Sequence, residues 1–87
     1  MKIASGFCLK EIMGENIVVP VGTKSISFNG MITLNNSGAF LWKELQGEKT
    51  QDELLNSLLD EYDIDAQTAK ADITKFITIL KEREILQ

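Results

Sequence analysis

At 87 residues, with 44% hydrophobic and 25% charged side chains, the chain has the composition of one small globular domain and is too short for two. Its formal charge of −4 argues against a phosphate-backbone partner, because such binding runs on clustered Lys and Arg. With no histidine and a single cysteine, Cys8, it cannot build a disulfide, a Cys/His metal site or a histidine-based triad within itself.

Phe7 to Met13 alternates Phe7, Leu9, Glu11 and Met13 on one face with Cys8, Lys10 and Ile12 on the other, a half-buried strand in which Cys8 reads as a buried structural thiol. Gly14-Glu15 reads as a two-residue turn with glycine first, and Asn16 to Val21 as the second strand of a hairpin. Pro20 has no N–H to give a ladder and marks that strand's end. Beyond Gly22-Thr23, the alternating piece Lys24 to Phe28 can pair across Asn29-Gly30 with Met31 to Leu34. Asn-Gly favours positive φ at both central positions and so makes the primed turn that suits antiparallel strands. Met31-Ile32-Thr33-Leu34 is then a short last strand that the chain leaves at once for a helix, with its outer side open. An open strand edge is a row of unpaired N–H and C=O groups on which another chain can be captured.

From Asn35 the apolar period changes from two to 3.6. Asn35 or Asn36 caps a helix of about ten residues, with Gly47 as its left-handed stop. Gly38, Leu41, Trp42 and Leu45 share one face, and Gly38 in the first turn implies a close neighbour there, since glycine costs about 1 kcal/mol against alanine. Trp42 reads as a core anchor. Thr50-Gln51-Asp52-Glu53 is a capping box, after which Leu54, Leu55, Leu58, Leu59 and Tyr62 form the inner face of a second helix. Asp63-Ile64-Asp65 ends it and caps a third helix, about Ala66 to Glu84, whose core stripe is Ala69, Ile73, Phe76, Ile77 and Leu80. Ile79 lies off that stripe, among Asp72, Lys75 and Arg83, where core packing has no use for it. Ile85 and Leu86 fold back to close the core.

The order, a small antiparallel sheet followed by three helices, predicts an α+β, winged-helix-like domain over residues 1–87. A winged helix raises the alternative of a DNA-binding or regulatory domain. Its third helix, however, sets Lys70, Lys75, Lys81 and Arg83 against Asp72, Glu82 and Glu84, a poor balance for a major groove. No apolar run approaches the roughly 20 residues needed to span a bilayer, and the opening residues lack a signal-peptide segment, so a cytoplasmic protein is expected. No nucleophile–base pair emerges, and an enzyme is not expected.

The run Phe28-Asn29-Gly30-Met31-Ile32-Thr33-Leu34-Asn35, then Ser37-Gly38-Ala39-Phe40-Leu41-Trp42, Thr50-x-x-Glu53-Leu54, Tyr62-Asp63-Ile64-Asp65 and Ala69-x-x-Asp72, resembles the PqqD-like proteins, named for pyrroloquinoline quinone synthesis protein D. The resemblance implies a RiPP recognition element: a non-catalytic domain, without cofactor, that binds the leader of a ribosomal precursor peptide and presents the rest to a tailoring enzyme, often of the radical SAM type. It implies that the leader adds as an antiparallel strand to the third strand and lies between that strand and the third helix. Carried onto this chain, the docking strand is Met31, Ile32, Thr33 and Leu34. The helix side, which joins the family's groove to the helical-wheel argument for Ile79, is Asp72, Lys75, Phe76, Ile79 and Arg83. The same edge is open to the chain's own terminus or to a second copy of the chain, so a homodimer is among the other occupants expected there.

Overall fold

Strands β1 (Phe7–Ile12) and β2 (Glu15–Pro20) form an antiparallel hairpin, and β3 (Ile32–Leu34) pairs antiparallel with β2, giving the sheet order β1-β2-β3. Helices α1 (Asn36–Glu44), α2 (Gln51–Glu61) and α3 (Ala66–Glu82) follow. The α+β architecture is the one expected. This computed structural model describes residues 1–22 and 31–87, and the expected Lys24 to Phe28 strand and Asn29-Gly30 turn lie outside the described residues.

The hairpin corrects the expected turn. Ile12 pairs with Glu15, so the two-residue loop is Met13-Gly14, with φ of 52° and 81°, and Glu15 belongs to β2. A left-handed methionine costs about 1–2 kcal/mol. The register explains why it is accepted. The observed loop sets Val18 opposite Leu9 and Val19 opposite Cys8, whereas a turn at Gly14-Glu15 would slide Val18 opposite Glu11 and Val19 opposite Lys10. Apolar cross-strand pairs outweigh the strain. Cys8 is half-buried, not enclosed, because only Val18 of the hairpin is fully buried in the core. Pro20 is the last residue of β2.

Asn35 caps α1, its Oδ1 accepting from Gly38 N–H at 2.8 Å. Gly47 is not the left-handed stop: its φ is not positive, and α1 ends in tight bonds, Gln46 N–H to Lys43 C=O at 3.3 Å and Gly47 N–H to Glu44 C=O at 3.4 Å. Such three-residue closures satisfy terminal carbonyls without glycine geometry. The Thr50/Glu53 capping box is present, with bonds of 3.1 and 3.0 Å, and Asp65 caps α3 through Thr68 N–H at 2.7 Å. These hydrogen bonds favour the ionised carboxylates, so both groups are held below the usual carboxylate range.

Trp42, Leu45, Leu54, Leu58 and the α3 stripe of Ala69, Ile73, Phe76, Ile77 and Leu80 fill the core under Val18, Ile32 and Leu34. The chain ends close it. Residues 1–4 run between the α1–α2 loop and residues 85–87: Ile3 N–H donates to Leu45 C=O at 3.0 Å, Ala4 N–H to Ile85 C=O at 2.7 Å, and Gln87 N–H to Lys2 C=O at 2.6 Å. Ile3 bridges Leu86, and Ile3 and Ile85 are both buried.

Candidate functional site

β3 is the edge strand, with β2 on one side and, among the described residues, no strand on the other. Its side chains alternate: Ile32 and Leu34 are buried and Thr33 is exposed. A three-residue strand can hold this position because both its apolar side chains enter the core and Asn35 then starts α1 without a linker.

Beside this edge lies a cleft of about 290 Å³ between β3, the first turns of α1, and α3. Its apolar surface comes from Leu34, Leu41, Phe76 and Ile79, and its rim from Asp72 and Lys75. On α3, the spacing of Asp72, Phe76 and Ile79 along one side of the helix, with Lys75 between, produces that wall. Neither Asp72 nor Lys75 takes part in an ion pair among the described residues.

The structure thus brings together six of the residues singled out in the sequence: Thr33, Leu34, Asp72, Lys75, Phe76 and Ile79. Ile79, 41% exposed, lies on this wall. The other three do not line the cleft. Met31 precedes β3 and is 62% exposed, Ile32 is turned into the core, and Arg83 sits at the end of α3, where its N–H donates to Ile79 C=O at 3.1 Å.

The sequence reasoning missed the contribution of α1, namely Asn35, Ser37, Gly38 and Leu41. Gly38 carried the signal. A Cβ there would stand 3.1 Å from Asn35 Oδ1 and 3.2 Å from Leu34 Cβ, so the absence of a side chain lets α1 close against β3 and leaves backbone in the cleft wall. Elsewhere, a broader hollow of about 430 Å³ beside the hairpin is lined mainly by polar groups, among them Glu11, Asn16, Lys43 and Glu61. Among the described residues no cluster of His, Cys, Asp or Glu could hold a metal, and no helix is long and apolar enough to cross a membrane.

An open edge strand beside an apolar cleft is the arrangement of domains that take up an extended chain by strand addition. The chain belongs to the PqqD family, described as coenzyme PQQ synthesis protein D, which matches residues 15–86; these are non-catalytic peptide-binding chaperones. Comparison with curated proteins gives no match. A solved structure, TbiB1 in complex with the TbiA(beta) leader peptide, aligns over 100% of this chain and 95% of its own, with a TM-score of 0.75 and 24% identity. At that identity the likeness is one of fold.

Proposed function

We propose that residues 1–87 act as one RiPP recognition domain, which captures the leader of a ribosomally made precursor peptide as an antiparallel strand on the outer edge of β3. The observation that carries this reading is the β3 edge away from β2, which no strand among the described residues covers, running along a cleft with an apolar floor and a charged rim. Family membership supports it, as does the likeness in fold to a protein solved with a leader peptide bound. Backbone pairing supplies affinity with little demand on sequence, and the cleft selects among leaders. The domain makes no bond itself and hands the remainder of the precursor to a tailoring enzyme, which we take to be of the radical SAM type.

Ordering a flexible leader costs roughly 2–5 kcal/mol, which places the expected affinity in the micromolar range, about −8 kcal/mol net. The test is a calorimetric titration with synthetic peptides corresponding to short reading frames encoded beside this one. One of them should bind near micromolar, and Lys75→Glu should weaken an acidic leader selectively. Absence of heat with every such peptide rejects the proposal. A second copy of the chain is the other occupant the edge admits, and leader binding then competes with self-association.

A further inference from the structure

The direction of each backbone group on β3 follows from the hairpin. Val21 N–H donates to Gly6 C=O at 2.9 Å, and a two-residue turn closes on a pair that exchanges both bonds, here Ile12 and Glu15. Both observations give the same phase: Glu15, Ile17, Val19 and Val21 turn their N–H and C=O groups toward β1. Alternate residues of a strand turn to opposite edges, so Asn16 and Val18 face β3. Their partners are Leu34 and Ile32, whose backbone groups are therefore used inside the sheet. Thr33, opposite Ile17, turns its N–H and C=O to the edge away from β2, and it is also the residue of β3 whose side chain is exposed.

We infer that the guest strand divides backbone and side-chain recognition between neighbouring residues. One leader residue exchanges both backbone hydrogen bonds with Thr33 and keeps its side chain outside, while the residue just before it, opposite Leu34, places an aliphatic or aromatic side chain in the cleft. This rests on the strand-addition reading above and deepens it. In antiparallel pairing the residue opposite Leu34 shares the face of Leu34, which is the core face, and the cleft floor of Leu34, Leu41, Phe76 and Ile79 lies on that face. The residue opposite Thr33 shares the exposed face and is free in side-chain identity. The cleft holds about 290 Å³ and sits at the Leu34 end of β3, so a single bulky residue dominates selection.

The ladder phase is tested on the free protein by amide hydrogen exchange. Ile32 and Leu34 N–H should exchange about tenfold or more slowly than Thr33 N–H. Protection at Thr33 with fast exchange at its neighbours overturns the inference. Two variants separate the same point from folding: Thr33→Pro removes only an N–H that faces outward and should keep the melting temperature while losing the guest, whereas Ile32→Pro breaks a bond to β2 and should lower it. Glu11→Pro, at an outward position of β1, should leave binding intact.

The guest side is read with a synthetic peptide, selected from a displayed random library on the wild-type chain, whose binding shifts the resonances of β3 and α3. Single N-methyl groups walked along it should weaken binding about tenfold at the residue facing Thr33, and single alanines should do so at the preceding residue. Sensitivity to both changes at the same residue overturns the inference alone. A library without any peptide that perturbs β3 overturns the proposed function as well.

Discussion

On β1 the outer edge carries Lys10 and Glu11, both exposed, and runs into a hairpin tip where Met13 is 98% exposed; on β3 the outer edge is Ile32, Thr33 and Leu34, without a charge, and a cleft runs beside it. Charged side chains on an edge discourage a second chain from pairing there, and an uncharged strand lacks that protection. β3 also sits more firmly. Two of its three side chains are in the core, whereas β1 contributes its half-buried Phe7 and Leu9 from below and then rises into solvent. Among the described residues, the uncharged edge is therefore the one whose geometry is held rigid, which lowers the reorganisation cost on the host side of any pairing.

The largest expected effect probes that difference in seating. Leu34→Ala should cost about 2–4 kcal/mol in urea unfolding, against less than about 0.5–1 kcal/mol for Ile12→Ala at the opposite edge, and equal losses would break the comparison. Next comes Ile79→Ala, which should weaken the selected peptide about tenfold while moving the melting temperature little, since the wild-type side chain is already 41% exposed. Gly38→Ala pits a gain in helix propensity against a Cβ only 3.2 Å from Leu34 Cβ. A net loss of about 1 kcal/mol in stability is expected, with weaker peptide binding, because α1 must back away from β3.

Smaller still, Lys75→Glu should change affinity for an acidic peptide only a few-fold, mostly through the association rate, and the effect should fade as salt is raised. The smallest effect concerns the helix caps, away from the edge strands. Glu53 and Asp65 are fully exposed carboxylates whose folded pKa is lowered, first by the backbone N–H groups of Thr50 and Thr68 respectively. A lowered folded pKa stabilises the fold fully above the ordinary carboxyl value of about 4, and the contribution is lost as pH falls through the folded value. Urea midpoints followed from neutral to acid pH should therefore fall less steeply in Glu53→Gln with Asp65→Asn, changes that keep capping groups but remove the titration.

The helices were readable because two independent signals agreed on each. The 3.6-residue period named Ala69, Ile73, Phe76, Ile77 and Leu80, all of which are buried, while Asn35, the Thr50/Glu53 box and Asp65 marked the starts. The hairpin turn misled because glycine at position 14 satisfies either of two turn types, and only the cross-strand pairing of Val18 with Leu9 decides between them. Gly47 misled because a helix end can be closed without left-handed backbone. Of the site, the α3 wall was visible as an aliphatic residue off the core stripe. The α1 wall was not, since Leu41 looks like any core residue until β3 is placed against Gly38; Ile32 and Arg83, named from the matched strand motif and from the helical wheel of α3 joined to the family's groove, do not line the cleft.

The cleft floor is made of side chains that the core cannot spare: Leu34, Leu41 and Phe76 are all buried, and each is a wall of the site and a support of the fold. Ile79, Asp72 and Lys75 carry no such double duty. On the proposed reading, a change of guest preference during evolution is channelled into these few rim positions of α3, and family members with unlike leaders should keep the same floor while their rims diverge.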